Sequence, residues 1–520
     1  MSLRVQRSDR SAPTTVSRRA MLRLGLGAGA LFALGACSDA GAGSVGGGGP
    51  GTVSWAWQLP TTWDPVTSSA GSDVTMLALA YDALTALDGD GNAVGWLAER
   101  WAYNHDGTRV TFTLRPGLKF SDGSPLNAAA VARSIERGRS APGSLIAPQI
   151  ADLKTVAAHG ELDIVLDLTA TNYQYPLLLA GKTGMVVNPA VFEKDAQALA
   201  TRPAGSGPFT LTSYVDNDHG EMRKNEHFHL ADQIGITRFL LYPAADPATV
   251  VASVASGQYD VAKIPASGIK AAQASGLEVQ VLDSMYVAVL DVNTSKAPFD
   301  NPAVVEAMKY GIDREAIKQI ANFGIGDVCY QPFPEGYVGF DATLGTAFAY
   351  DPARARKILA DAGLSGGVRS TLSAAAPIPA AVEQIQAQLG EIGIELEIDP
   401  VPRSQWTQVV YINRAKPLGY DGFAGRESPV QAFQVLFSAT GLMNPARTSD
   451  PELVAQLAKV AATPTDDPSY PATLQEATRL AVTRFPNTFL FEVPSILVRR
   501  KSLAPLRPHP SLIRWEGVPA

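Results

Sequence analysis

Cysteine and histidine are scarce in this chain, with two cysteines and six histidines among 520 residues. At most one intramolecular disulfide can form, which excludes a fold held together by several disulfides. No CxxC, HExxH or Walker A pattern occurs in the sequence. The sequence therefore predicts no metal, nucleotide or other cofactor.

An excess of basic residues is also missing. Lys and Arg number 43 against 50 Asp and Glu, a net charge of -7. Binding to nucleic acid needs clustered positive charge to neutralise phosphates, so no nucleic-acid partner is expected. Hydrophobic residues make up 46% of the chain, which permits a large core. The length allows about two to four domains.

The N-terminal segment has the order of features that is typical of a lipoprotein export signal. Arg18 and Arg19 precede an apolar stretch, residues 24–36, that is shorter than the about 20 residues of a membrane span. The paired arginines are typical of a twin-arginine signal. Residues 34–37, Leu-Gly-Ala-Cys, resemble a lipobox in which the cysteine becomes lipid-modified.

We therefore expect residues 1–36 to be a twin-arginine-type lipoprotein signal peptide and Cys37 to carry the lipid. Residues 37–52 include four consecutive glycines and predict a flexible tether. This places the protein in the cell envelope, lipid-anchored to the outer face of the cytoplasmic membrane. If Cys37 is lipidated, Cys329 has no disulfide partner, and we interpret it as a small, partly buried side chain.

Strand and helix patterns alternate after residue 53, which predicts an α/β fold. Residues 110–115 and 161–168 alternate between apolar and polar side chains, as half-buried strands do. An Asp-Pro pair before residues 353–362 and a glycine after them predict a capped helix. A second helix is expected at 380–392, followed by a strand at 394–398.

Two patterns that could carry enzyme or metal chemistry are better explained by structure. Residues 363–367 match the GxSxG motif of hydrolases, but a helix is predicted where that motif needs a strand. His219, His227 and His229 could ligate zinc or nickel, yet a solvated strand end and turn also account for them. No nucleophile, base and orienting group can be assigned together. We predict a binding protein, with an exported hydrolase as the alternative class.

Five sequence blocks, in order over most of residues 53–500, resemble one protein family. The blocks are residues 63–126 (with WDP, YDAL, LAERW and FTLRPGLKFSDGSPL), GSGPF at 205–209, SGQYDV at 256–261, 293–317 and 350–363. Together they are similar to the extracytoplasmic solute-binding proteins of ABC importers, in the dipeptide/oligopeptide-binding class.

The resemblance implies a two-lobed type II periplasmic-binding-protein fold with an additional domain inserted in lobe I. The implied parts are 53–65, 186–284 and 491–520 for lobe I, 66–185 for the inserted domain, and 285–490 for lobe II. Strands at 285–292 and 489–494 would make the two lobe crossings. The implied function is capture of short peptides by lobe closure and delivery to permease and ATPase subunits. The protein would act as a monomer.

The resemblance also implies where a ligand would bind. The early cleft segment of the family matches Ser68, Ser69, Ala70 and Gly71, whose backbone could pair with an extended peptide as an added strand. Aromatic cleft walls of the family match Tyr286 and Trp406. Ordinary core packing explains either aromatic residue equally well.

One loop departs from the family pattern. Peptide binders carry a Gly-Trp-x-x-Asp-type loop whose aspartate holds the ligand ammonium group, and here the loop is shorter and lacks both residues. Glu427 could accept from an ammonium group, and Arg426, after Gly425, could bind a carboxylate. A solvent-exposed Arg–Glu pair in a turn is the alternative. Short peptides are therefore the expected ligand, and a sugar, a modified peptide or a metal chelate is the alternative.

Overall fold

The computed structural model describes residues 50–244, 246–507, 509 and 511–519. The predicted signal peptide, Cys37 and most of the tether lie outside these residues. The strands, numbered along the chain, are β1 (Thr52–Trp57), β2 (Thr85–Leu87), β3 (Ala93–Gly95), β4 (Ala98–Tyr103), β5 (Arg109–Leu114), β6 (Leu153–His159), β7 (Asp163–Leu168), β8 (Phe209–Val215), β9 (His219–Lys224), β10 (Arg238–Pro243), β11 (Val261–Lys263), β12 (Glu278–Leu282), β13 (Val287–Val292), β14 (Val368–Ala375), β15 (Ile394–Val401), β16 (Leu418–Phe423), β17 (Thr488–Glu492) and β18 (Ser495–Arg499).

The helices connect these strands and cover the sheets. They are α1 (Val74–Ala80), α2 (Ala128–Ser140), α3 (Tyr175–Leu178), α4 (Pro189–Asp195), α5 (Pro247–Ala255), α6 (Ile269–Ala274), α7 (Pro302–Tyr310), α8 (Arg314–Ala321), α9 (Pro352–Asp361), α10 (Ala380–Glu391), α11 (Pro429–Phe437), α12 (Pro451–Ala462) and α13 (Tyr470–Arg484). Within the described ranges, no helix has the length and apolar character needed to cross a membrane.

The capped helix predicted near residue 352 is confirmed as α9. The Asp351 side chain accepts from the backbone N–H of Arg354 at 2.8 Å, and Pro352 occupies the first helical position. The helix ends before Gly363, whose φ of +76° is one that glycine adopts without strain. The predicted helix and strand that follow are confirmed as α10 and β15.

Lobe I is built on a seven-stranded sheet with the order β12-β18-β11-β1-β10-β9-β8. Its core contains Trp55 of β1, Phe239 of β10 and Trp515, all fully buried. The Trp515 ring centroid lies 5.1 Å from that of Trp55 and 4.7 Å from that of Phe239, in edge-on contacts. The helix α1 packs in this same core. The C-terminal segment thus holds the first strand of the lobe in place.

A separate core lies beneath the antiparallel sheet β4-β5-β7-β6. Val110, Phe112 and Leu114 of β5 face it at every second position, and Val131 of α2 packs against them. This core begins at Leu84 in the chain. We call this part of the chain the inserted domain.

Lobe II is built on a five-stranded sheet with the order β15-β14-β16-β13-β17. The interior strand β13, which lies between β16 and β17, is buried along its whole length. Leu290 and Val292 pack with the helices α7 to α10, whereas Val287 and Val289 pack with α11 to α13. Because successive side chains point to opposite faces, one continuous apolar strand supports two helical layers.

The chain crosses between the lobes through short connections rather than through strands. One connection joins β12 to β13 and the other joins β17 to β18. The Ser284 hydroxyl donates to the Val493 carbonyl at 2.8 Å, and the Val493 N–H donates to the Tyr286 carbonyl at 2.8 Å. The expected crossing strands therefore lie inside lobe II, and the crossings are hydrogen-bonded side by side.

Candidate functional site

A cavity of about 270 Å³ lies where lobe I, the inserted domain and lobe II meet. Its volume is near the lower end of the about 300–1,000 Å³ that is usual for small-molecule sites. Six of the residues predicted to bind ligand line it: Ser68, Ser69, Gly71, Gly425, Arg426 and Glu427. Two segments far apart in the sequence therefore meet at one cavity.

Ser68 belongs to a buried polar group on the lobe I side of the cavity. Its hydroxyl donates to Asp73 Oδ2 at 2.7 Å, and the Thr61 hydroxyl donates to the same oxygen at 2.5 Å. Burial raises the pKa of Asp73, although these hydrogen bonds oppose the shift. The Asp73 carboxyl therefore holds the Ser68 segment in a fixed conformation.

Lys182 reaches the same group from the inserted domain. Its Nζ donates to the Ser68 carbonyl at 2.6 Å. Burial lowers the pKa of Lys182 to about 8, and the nearby Asp73 and Glu427 carboxyls oppose the shift. Sequence reasoning missed Lys182, because nothing in the run Gly-Lys-Thr-Gly around it signals a ligand-binding role.

The loop at residues 425–427 supplies charged groups from lobe II. Gly425 has a φ of +68°, and a Cβ there would overlap Met285, so glycine is needed at this turn. The Arg426 guanidinium donates to the Gly425 carbonyl and lies 5.3 Å from the Phe423 ring centroid. The loop therefore has a fixed backbone and keeps further guanidinium donors for a ligand.

Glu427 is the carboxylate of this loop, and only 6% of it is exposed. Its carboxyl group lies against Gly181, so closely that a Cβ at that position would overlap it. Within the described part of the chain, no hydrogen-bond donor or ion-pair partner reaches this carboxylate. A buried carboxylate facing a cavity without a partner is a site for a cationic or hydrogen-bonding group of a ligand.

Lobe II also contributes Arg447 and Gln431, which the sequence did not single out. Arg447 Nη2 donates to the Tyr411 carbonyl at 3.2 Å, and its Nη1 donates to the Gly441 carbonyl. Gln431 donates across the cleft to Gln149 and, at 3.2 Å, to Thr183. These amide contacts join lobe II to the inserted domain beside the cavity.

Tyr286 and Trp406, which were expected to form cleft walls, lie outside this cavity. Trp406 is 6% exposed and packs in the lobe II core, where its indole N–H donates to Asp421 at 2.6 Å. The Tyr286 ring lies against Gly422 beside the lobe crossings, and burial raises its pKa. Both rings are held by packing within the protein. Ala70 likewise does not line the cavity.

Among the described residues, neither the histidines singled out in the sequence nor Cys329 belongs to a metal or catalytic site. His219 contacts Asp218 at 2.7 Å, whereas His229 lies 3.4 Å from Asp82. Among the residues that the structure describes, no cluster of three or more His, Cys, Asp and Glu side chains could hold a metal ion. Cys329 is buried, its thiol donates to the Gln331 carbonyl at 3.0 Å, and burial raises its pKa to about 12.

Two lobes joined by paired crossings, with a charged cavity between them, define a two-lobed binding protein. The profile of the bacterial extracellular solute-binding proteins, family 5, matches residues 92–442, well over half of the chain. The chain therefore belongs to this family, whose members are substrate-binding proteins of ABC transporters, act outside the cytoplasm and are not enzymes.

Relatives and solved structures agree with this assignment. Glutathione-binding protein GsiB of Salmonella typhi is 27% identical over 388 residues, which cover 73% of each chain. The periplasmic binding protein DppA from Helicobacter pylori, solved with the peptide STSA, has a TM-score of 0.82 at 19% identity, covering 90% of this chain and 98% of DppA. AgaA from A. tumefaciens R10, solved with agropinic acid, has a TM-score of 0.78 at 23% identity, covering 87% and 94%.

Proposed function

We propose that this protein captures short peptides outside the cytoplasmic membrane and delivers them to an ABC permease. The observation that carries the proposal is the meeting of Lys182 on one side of the cavity with Arg426 and Glu427 on the other. A small peptide has both an ammonium group and a carboxylate. A ligand that contacts both sides binds the closed state more tightly than the open one, and so shifts the protein toward closure.

The family supports this proposal, since the relative cited above is named for glutathione, which is a tripeptide, and DppA was solved with a peptide. The cavity of about 270 Å³ favours ligands of two or three residues over longer peptides. Native mass spectrometry of the purified protein tests the proposal, because it gives the mass of any ligand that is recovered with the protein.

The same measurement on Arg426→Ala and Glu427→Ala should show loss of the bound compound. The control is Glu397→Ala, which removes an exposed carboxylate of β15 that does not line the cavity. A sugar, a metal chelate or another non-peptide compound in the wild-type protein would contradict the peptide assignment. Unchanged occupancy in both loop variants would remove the loop from the site.

We propose in addition that residues 1–36 direct export and that acyl chains on Cys37 anchor the protein to the membrane. The support is the sequence pattern alone, and stable attachment needs more than one acyl chain. Cell fractionation should find the wild-type protein in the membrane fraction and the Cys37→Ala variant in the soluble fraction. The control Cys329→Ala removes the other cysteine. Identical partitioning of wild type and Cys37→Ala would contradict the anchor.

We also propose that the protein acts as a monomer, as the family resemblance implies. Native mass spectrometry on the unliganded and liganded protein should give the mass of one chain. A dimer in either sample would contradict this. The permease and ATPase subunits would then contact single, closed molecules.

A further inference from the structure

The charges around the cavity do not balance. The lining contains three cations, Lys182, Arg426 and Arg447, and a single carboxylate, Glu427. Within the described ranges, none of the four forms an ion pair with another side chain of the protein. All four are at least half-buried. The site therefore presents net positive charge to whatever it encloses.

The hydrogen bonds that these cations donate go to uncharged acceptors and therefore do not neutralise their positive charge. Lys182 donates to the Ser68 carbonyl, and Arg447 donates to two backbone carbonyls. Arg426 donates to the carbonyl of the residue before it. Carbonyl oxygens are neutral acceptors, and a buried charge without a counter-charge is strongly unfavourable. The arrangement becomes favourable once a ligand supplies the missing negative charges.

We infer that the ligand is an acidic zwitterion, with one ammonium group for Glu427 and at least two carboxylates for the cations. Asp73, which lies behind Ser68, does not change the sign of this balance: counted as ionised, it still leaves one uncompensated cation. The inference rests on the proposed function and narrows it from short peptides in general to acidic ones. A dipeptide with a glutamate or aspartate side chain has this charge pattern, and so does glutathione.

The placement of these groups couples charge recognition to closure. Lys182 lies in the inserted domain, whereas Arg426, Glu427 and Arg447 lie in lobe II. Arg426 already lies close to the Ser68–Gly71 segment on the opposite side of the cavity, since a Cβ added at Gly71 would lie 3.0 Å from its Nη1. A ligand with two separated carboxylates can contact Lys182 and the lobe II arginines together, and this is possible only in the closed state.

Calorimetric titration with matched ligands tests the inference. The probes are Ala-Glu and its isostere Ala-Gln, and glutathione with its glycine-amide form, in which one carboxylate is replaced by a neutral amide. We expect each acidic probe to bind about ten-fold or more tightly than its amide partner. Acetylation of the Ala-Glu amino group should weaken binding by about ten-fold or more, because Glu427 then loses its cationic partner.

Variants show whether the lining cations cause the preference. Arg447→Gln and Arg426→Gln should each bring the affinity ratio between acidic and amide probes closer to one. The control Arg356→Gln removes an exposed arginine of α9 that does not line the cavity, and should keep the ratio. Two arginine variants are used because Arg447 also holds backbone carbonyls, and its loss could disturb folding.

The outcomes separate this inference from the proposed function. Equal affinities of wild type for the acidic and amide probes would overturn the acidic-ligand inference but leave peptide capture intact. An acidic preference that survives in both arginine variants would also overturn it. If none of the probes binds and no peptide is recovered with the protein, the inference and the proposed function both fail.

Discussion

The absence of a side chain at position 181 determines where the Glu427 carboxylate can lie. The two residues are far apart in the sequence, yet a Cβ at Gly181 would overlap the carboxyl group. The φ of Gly181 is -118°, outside the left-handed region, so an alanine would act through this contact rather than through backbone strain. Gly181 thus positions Glu427 without touching the ligand.

Gly181→Ala should therefore weaken ligand binding by about ten-fold or more, because the displaced carboxylate no longer faces the cavity. Isothermal titration with the recovered ligand measures the effect. The matched control is Gly366→Ala, an exposed glycine with no atom within 4 Å of an added Cβ. Equal losses in the two variants, or none in Gly181→Ala, would contradict the positioning role.

A second residue-scale feature is a pair of buried carboxyls that share one hydroxyl. The Tyr411 hydroxyl lies 2.6 Å from both Asp291 Oδ2 and Asp421 Oδ2, but it has a single hydrogen to donate. Asp421 also accepts from Trp406, whereas Asp291 accepts at 3.0 Å from Asn487. Burial raises the pKa of both carboxyls, that of Asp291 most. We infer that Asp291 is protonated and donates to Tyr411.

Asp291→Asn should reproduce this protonated state, since its amide can donate to Tyr411. Folding raises the pKa of Asp291, so the folded chain binds more protons above the unfolded pKa of about 3.9, and stability is lost as the pH rises toward the folded pKa. The difference in the free energy of unfolding, variant minus wild type, should therefore be more favourable to the variant at about pH 7 than at about pH 4. We expect this change to be at least about 1 kcal/mol. Urea unfolding at both pH values measures this. A variant destabilised equally at both would contradict it.

The sequence revealed some of these residues and not others for a physical reason. Segment 68–71 and loop 425–427 occupy recognisable positions in an ordered family pattern. Lys182 and Arg447 acquire their role only through distant neighbours, and no local spacing records that. Trp406 illustrates the opposite difficulty, because cores and cleft walls both bury aromatic rings.

At the scale of elements, local sequence signals were enough to predict individual helices. Caps, proline and glycine gave α9 and α10 within a residue or two. The family resemblance implied that the inserted domain starts at residue 66. Since α1 packs in the lobe I core and the separate core begins at Leu84, we propose a start near that residue.

Lys309 joins two helices of lobe II. It lies on α7 and is 5% exposed, and its Nζ donates to the carbonyls of Val482, at 3.2 Å, and Phe485, at 2.6 Å, at the end of α13. These carbonyls have no partner within the helix. Burial lowers the pKa of Lys309 to about 7, with nearby Arg314 acting in the same direction. The neutral amine still has hydrogens for both carbonyls.

This lysine should make stability depend on pH above neutrality. Folding lowers its pKa, so the unfolded chain binds more protons between about pH 7 and about pH 10, and the free energy of unfolding rises over that interval. Between about pH 7 and about pH 10, the free energy of unfolding of wild type should rise by about 2 to 4 kcal/mol more than that of Lys309→Met. Urea unfolding of both proteins at several pH values measures the difference. Parallel pH profiles would contradict the role given to Lys309.

At the scale of the whole molecule, several contacts close the cleft. The Tyr173 N–H of the inserted domain donates to the Ala461 carbonyl of lobe II at 2.8 Å. The Tyr470 hydroxyl of lobe II donates to Gln174 at 3.0 Å. Together with the Gln431 contacts beside the cavity, they show that the structure is a closed arrangement. The family resemblance predicted two lobes, but the contact pairs depend on tertiary packing that periodicity does not encode.

Closure should be driven by ligand. The net positive charge of the cavity, whose charged groups form no ion pairs with one another, opposes the closed state when the cleft is empty, whereas a bound ligand contacts both sides. Small-angle scattering should therefore give a smaller radius of gyration at saturation with the compound recovered by native mass spectrometry. The paired crossings at Ser284 and Val493 are short enough to act as the hinge. The double variant Arg426→Gln/Glu427→Gln should keep the larger radius at the same ligand concentration.

Tyr470→Phe, which loses only one closing hydrogen bond, should still close but bind a few-fold more weakly, in keeping with about 0.5–1.5 kcal/mol for such a bond. A wild-type radius that does not change at saturation would mean that the ligand enters an already closed protein, and the two-lobe closure mechanism would have to be abandoned.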